Sequence, residues 1–333
     1  MGSGFKLSLV VPLYNEEQMV EIFCARVIPV LEKLTPDYEI IFVNDGSNDG
    51  TLPLLLRQHE KNPSLKIIDL TRNFGKDIAL SAGIDFTSGD AVIPFDADLQ
   101  DPPEAIPDLV TAWQQGSKVV LALRADRSRD SILKRLTAKL YYRFAGQISE
   151  VPIPEDAGDF RLLDQRVVAA LRRFPERTRF MKGLFSWLGY EPAIVEYRRA
   201  PRAAGDSKWR PWRLWNFALD GLFSFSTVPL RIWTYLGFIV AVCAGGYAVF
   251  IVANVLLTGI DAPGYASTLV FLLLFSGLNM IGLGILGEYI GRIFQEVKRR
   301  PLYLVDSAVG FGAGLDSVEA STSPEPMAAR SEP

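Results

Sequence analysis

Short, mostly apolar runs alternate with longer mixed segments through the first third of the chain. Leu7–Leu13, Tyr38–Val43, Leu65–Leu70, Ala91–Pro94 and Lys118–Leu123 read as buried strands of the parallel kind. Helices are expected between them: from Tyr14-Asn15-Glu16-Glu17 to about Leu34, up to about Lys61, after Asp77, and after Pro102-Pro103, where prolines suit a first turn. Strand and helix alternating at this spacing imply right-handed βαβ units. They stack into an α/β fold with a doubly wound, mainly parallel sheet covered on both faces.

The pattern changes in the last third. Ile232–Leu257 runs for 26 residues without a charge and Ala266–Gly287 for another 22. At about 1.5 Å per residue these helices reach about 39 and 33 Å, enough to cross a hydrocarbon core of about 30 Å, so two transmembrane helices are expected. The connection 258–265 holds no Lys or Arg, whereas Arg231, Arg292, Lys298, Arg299 and Arg300 flank the other ends. The positive-inside rule then places both termini in the cytoplasm. Glycines such as Gly237, Gly245, Gly246, Gly282, Gly284 and Gly287 suit close helix contacts, compatible with a homo-oligomer up to a tetramer.

Between the two regions lie amphipathic segments. Ile132, Leu136, Leu140 and Phe144 recur at i+4 beside Arg135, Lys139 and Arg143, and Trp209, Trp212 and Trp215 interleave with Lys208, Arg210 and Arg213. Both suit helices at the interface of an anionic membrane. The overall net charge of −3 conceals this, because residues 124–143 hold seven Lys/Arg and residues 197–215 six. Nucleic-acid binding uses similar ingredients, but apolar runs directly downstream favour a membrane partner.

Polar clusters close the strands. Asn44-Asp45-Gly46-Ser47-Asn48-Asp49-Gly50 follows the second, Arg72-Asn73-Phe74-Gly75-Lys76 the third, and Phe95-Asp96-Ala97-Asp98-Leu99-Gln100-Asp101 the fourth. In a parallel sheet all of these fall at one edge, where α/β sheets bind ligands. Asp96 and Asp98, spaced i, i+2 with an amide oxygen two residues on, are hard donors suited to Mg²⁺ or Mn²⁺; alternatively these acids and Asp101 serve the turn. Two cysteines and one histidine exclude a disulfide framework, a thiolate metal site and histidine triads. No Gly-x-Gly-x-x-Gly or Gly-Lys-Ser/Thr loop is present, which speaks against ordinary dinucleotide and ATP sites. The segment from Met1 to Lys6 lacks the apolar stretch of a signal peptide, so the first domain is expected in the cytosol.

Four motifs in order carry a resemblance: Pro12-Leu13-Tyr14-Asn15-Glu16-Glu17, Asn44-Asp45-Gly46-Ser47-x-Asp49-Gly50, Arg72-Asn73-Phe74-Gly75-Lys76 and Asp96-Ala97-Asp98-Leu99-Gln100-Asp101-Pro102-Pro103. Together they resemble those of inverting family-two glycosyltransferases, more closely the polyisoprenyl-phosphate glycosyltransferases, over roughly residues 5–305. The resemblance implies a GT-A-type fold in which Pro12, Tyr14, Glu16 and Asp45 hold the base and ribose of a nucleotide-sugar. Asp96 then faces ribose and diphosphate, Asp98 and Gln100, with Asp96, ligate the metal, and Lys76 adds positive charge at the diphosphate. Gly158-Asp159-Phe160-Arg161-Leu162-Leu163-Asp164 resembles the acceptor-side motif and makes Asp159 the candidate base. Arg202, in an Arg-x-x-Gly-x-Ser-Lys loop, and Arg124 and Arg135 resemble the residues that hold a lipid phosphate.

Residues 1–128 are thus expected to bind the nucleotide-sugar and 129–228 to form the acceptor side. Residues 229–291 would form two membrane helices and 292–333 a cytoplasmic tail disordered from about 310. The reaction implied is metal-dependent, inverting transfer of one sugar, foremost glucose from UDP-glucose, to undecaprenyl phosphate on the cytoplasmic face of a bacterial inner membrane. Mannose from GDP-mannose and formamido-arabinose from its UDP donor are the alternatives, and a non-catalytic membrane scaffold is a third. A processive polysaccharide synthase is disfavoured by the lack of Gln-x-x-Arg-Trp and of further spans.

Overall fold

A computed structural model describes residues 4–124, 158–174, 176, 181–197, 228–258 and 264–312. The five expected strands are present as β1 (Leu7–Leu13), β2 (Tyr38–Asn44), β3 (Leu65–Leu70), β4 (Ala91–Pro94) and β5 (Val119–Arg124). Three more, β6 (Arg161–Asp164), β7 (Ala193–Tyr197) and β8 (Val305–Val309), complete an eight-stranded sheet ordered β7-β5-β6-β4-β1-β2-β3-β8. The block β4-β1-β2-β3 is parallel throughout, as is β5 with β7. β6 runs antiparallel between β4 and β5, and β8 runs antiparallel on the β3 edge.

Strand residues alternate between two cores. Leu9 and Val11 of β1 and Ile40 and Phe42 of β2 pack with Met19, Phe23 and Leu31 of α1 (Glu17–Leu34), Leu55 of α2 (Thr51–Lys61) and Leu109 of α4 (Ile106–Gln114). Val10, Ile41 and Val43 face the opposite way, toward Ala79 and Leu80 of α3 (Lys76–Asp85), Val167 and Val168 of α5 (Gln165–Leu171) and Leu184 of α6 (Met181–Trp187). Helices on both faces explain why β1 to β4 are apolar on both sides. Gly83 lets α3 lie close to the sheet: a Cβ there would stand 2.9 Å from a Val43 methyl.

Two long helices follow, α7 (Val228–Thr258) and α8 (Tyr265–Val297). They touch where Gly282 of α8 meets the Trp233 indole of α7, a contact that any Cβ would block. Among the described residues a single stretch, Leu274–Val297, is long and apolar enough to cross a membrane, and it is almost wholly exposed. One span is therefore visible where two were expected, and it lies farther along the chain than Ala266–Gly287. Glu288 and Arg292 pair at 2.8 Å across one turn, so the charges that closed the apolar run lie within the helix and do not end it.

The segment beyond α8 is not a free tail over its described part. Tyr303 is buried and donates to Asp85 at 2.9 Å, Thr71 N–H donates to the Leu304 carbonyl at 3.1 Å, and β8 covers the edge of β3. Arg135, Arg202, both amphipathic segments and the chain beyond 312 lie outside the described residues.

Candidate functional site

Because β4, β1, β2 and β3 are parallel, the loops after them emerge at one edge. Pro12, Tyr14 and Glu16, all half-buried, end or follow β1; Asp45 follows β2, Lys76 follows β3, and Asp96, Asp98 and Gln100 follow β4. β6 opposes β4, pairing Ala91 with Asp164 and Val92 with Leu163, so the start of β6 reaches that same edge. This brings in Asp159 from far along the chain. Arg124 ends β5 in register with Tyr197, which closes β7.

The loops after β1 and β2 are laced together. Asn15 N–H donates to Ser47 Oγ at 2.9 Å, Asn48 N–H to Asn15 Oδ1 at 2.8 Å, Glu16 N–H to Thr51 Oγ1 at 3.0 Å and Gly50 N–H to Glu17 Oε2 at 2.9 Å. Asp45 extends the lacing to the third loop by accepting from the N–H groups of Phe74 (2.7 Å) and Gly75 (2.9 Å). Burial raises the Asp45 carboxyl above its ordinary value, against the pull of those two hydrogen bonds and of Arg72. Gly46, at φ +63°, is required here, since a Cβ would fall 2.6 Å from the Asn73 nitrogen.

Beyond β4 the chain alternates. Phe95, Ala97 and Leu99 are buried while Asp96, Asp98 and Gln100 are half-exposed, so both carboxylates and the amide leave the core on one side. Leu99 takes φ +53°, a left-handed conformation costing about 1–2 kcal/mol for a non-glycine residue, held by its buried side chain. The turn lets Gln100 N–H donate to Asp98 Oδ1 at 3.1 Å.

The centre of the site is Lys76. Its ammonium lies 2.7 Å from Asp96 Oδ1 and 2.7 Å from Asp159 Oδ2, joining the acid after β4 to the acid before β6. Burial alone would disfavour its charge, but the two carboxylates outweigh that and raise its pKa above the ordinary lysine value. The pairing has a structural basis: Phe95 precedes Asp96, Phe160 follows Asp159, and the two rings meet edge to face at 5.2 Å. Edge-to-face contacts continue from Phe160 to Tyr197 at 5.6 Å and from Phe95 to Phe23 at 5.8 Å.

The structure places Asp45, Lys76, Asp96, Asp98, Gln100 and Asp159, all singled out from the sequence, at one sheet edge, and adds three features that were not singled out. Asp101 is a buried acceptor for the Tyr197 hydroxyl, tying β7 to this loop. Arg161 is buried, donates to the Gly158 carbonyl at 2.6 Å and stacks 4.2 Å from the Phe185 ring. Burial draws its pKa down to about 10, opposed by the charge of Asp159. Lys76 also bridges two acids, a pairing that the sequence did not indicate. An Arg beside an acid in a short strand was the only local signal for Arg161; nothing marked Tyr197.

Among the described residues no group of three or more His, Cys, Asp and Glu side chains is arranged to hold a metal. The expected set of Asp96, Asp98 and Gln100 has two carboxylates and an amide, which is oxygen-only chemistry appropriate to Mg²⁺ or Mn²⁺. The ammonium on Asp96 marks that position as one that accommodates a cation.

Comparison with known proteins agrees with this architecture. Residues 8–172 match the family model described as Glycosyl transferase family 2. An uncharacterized glycosyltransferase of Synechocystis is 52% identical, the match covering 92% of this chain and 96% of that protein. A prophage bactoprenol glucosyl transferase homolog of Escherichia coli K12 is 48% identical over 90% of this chain and 98% of its own length. The bactoprenol glucosyl transferase of Shigella phage SfII is also 48% identical, over 90% and 97%.

Proposed function

The chain belongs to glycosyl transferase family 2 and is a glycosyltransferase, and we propose that it moves a single sugar, glucose from UDP-glucose, onto a polyisoprenyl phosphate at a membrane. One observation carries the reading: Asp45, Lys76, Asp96, Asp98 and Asp159 converge on one sheet edge, with Lys76 joining the donor-side and acceptor-side acids at 2.7 Å each. The acceptor is taken from relatives matched almost end to end and named bactoprenol glucosyl transferases.

In this reading Pro12, Tyr14, Glu16 and Asp45 receive base and ribose. Asp45 has spare lone pairs for this, because each oxygen accepts one backbone N–H. Asp98, Gln100 and Asp96 hold Mg²⁺ or Mn²⁺, which supplies positive charge against the departing nucleoside diphosphate. Two carboxylates and an amide leave coordination positions for phosphate oxygens and water. A phosphate monoester has a second pKa of about 6, so the acceptor oxygen is already anionic at neutral pH and needs no strong base. Asp159 then serves chiefly by orienting its cationic neighbour Lys76. Arg124, Arg135 and Arg202 hold the acceptor phosphate beside the anomeric carbon.

α8 carries the one stretch among the described residues long and apolar enough to span a membrane, and α7 and α8 are read as anchoring the chain there with the catalytic domain on the cytoplasmic side. The Lys/Arg-free connection between them supports that orientation. The test is Asp98→Ala in the detergent-solubilised full chain, with UDP-glucose and undecaprenyl phosphate as substrates. Turnover is expected to fall by about 100-fold or more, in line with loss of metal-held charge stabilisation. Unchanged turnover would overturn the assignment of Asp98.

A further inference from the structure

We propose that Lys76 is a built-in counter-ion that competes with a divalent cation for Asp96, so that the site takes its metal efficiently only together with the donor's diphosphate. This rests on the metal placement proposed above and adds to it a specific role for the lysine. Lys76 opens α3 directly after Gly75, whose N–H is fixed on Asp45 Oδ2 at 2.9 Å, so the base of the side chain is anchored. Its ammonium contacts both oxygens of Asp96, at 2.7 and 2.9 Å, and Asp159 Oδ2 at 2.7 Å. It therefore shares the carboxylate that the metal set needs. Two cations on one carboxylate repel each other strongly at such separations. Metal and Lys76 thus compete for Asp96, and Asp159 is the partner that retains the lysine when the metal prevails.

The consequence is a coupling between the two halves of the site. A nucleoside diphosphate brings the negative charge that offsets a second cation, so metal and donor enter as a unit. The same event releases the lysine ammonium from Asp96, leaving it on Asp159 or free to turn toward the diphosphate. Lys76 is in this sense a positioning residue, communicating donor occupancy to the acceptor-side acid.

The experiment is an electron paramagnetic resonance titration of Mn²⁺ into the detergent-solubilised full chain, with and without UDP, for the wild type, Lys76→Met and Lys76→Arg. The lysine side chain is 41% exposed, so both variants are expected to fold, and a cooperative melting transition checks this before the titration. Without UDP, Lys76→Met should bind Mn²⁺ roughly tenfold or more tighter than the wild type, while Lys76→Arg, which keeps the charge, stays near the wild-type value. With UDP present the gap should narrow. Equal affinities of wild type and Lys76→Met without UDP, in protein that takes up Mn²⁺ with UDP, would overturn the competition alone. No Mn²⁺ uptake by any form with UDP would overturn the metal placement and this proposal with it.

Discussion

Glu39 shows how far one residue away from the catalytic edge can govern stability. It is 1% exposed at the opposite end of the sheet and accepts from Ser8 Oγ at 2.6 Å, Ser88 N–H at 2.7 Å and the Lys66 ammonium at 2.8 Å. Burial alone would raise its pKa, but Lys66, Ser8 and Ser88 together bring it down to about 2 from 4.5. A depressed carboxyl stabilises the fold fully above its unfolded value of 4.5 and loses that contribution as pH falls toward about 2. The amount is about 3 kcal/mol, measurable by urea unfolding at pH 6 and pH 2.5, and Glu39→Gln should lack this acid limb. At this scale the acids of the site were readable because Asp45, Asp96 and Asp98 sit beside strand ends in the chain itself. Tyr197 on Asp101 and Asp159 on Lys76 were not, since they join residues 96 and 83 positions apart and depend on how β6 and β7 enter the sheet.

At the scale of elements, the Phe95–Phe160 ring pair is what aligns the β4 loop with the start of β6. Phe160→Ala should cost about 3–5 kcal/mol through the cavity it leaves, visible as a lower denaturation midpoint. Phe160→Leu keeps most of the apolar volume but loses the edge-to-face contact, so turnover should fall more than stability does. Equal losses in the two measurements would point to packing alone. β8 offers a second test: removing residues 301–333 would expose the β3 edge and free Thr71, which leads into the Lys76 loop. That chain should melt lower and aggregate more readily than the intact one. β1 to β5 were legible because buried parallel strands are continuous apolar runs. β6 is four residues long, and Asp306 and Ser307 break the pattern in β8, so neither has the period or length that marks a strand.

On the scale of the whole molecule, a parallel sheet gathers the loops after β1 to β4 at one edge and β6 carries Asp159, the proposed acceptor-side acid, to them. The long apolar helices follow in the same chain, in keeping with the membrane-lipid acceptor proposed above. The apolar runs located both helices, yet helix length and run length differ: α8 runs past Gly287 to Val297 and carries an i, i+4 ion pair in that extension. The most direct test of the account is transfer of radiolabel from a panel of nucleotide-sugars to undecaprenyl phosphate in detergent, with Mg²⁺, with Mn²⁺ and with chelator. Label should enter the lipid phase from UDP-glucose, and only when metal is present. Absence of lipid label from every donor, in folded protein that still binds UDP, would contradict the assignment of a polyisoprenyl phosphate as the acceptor.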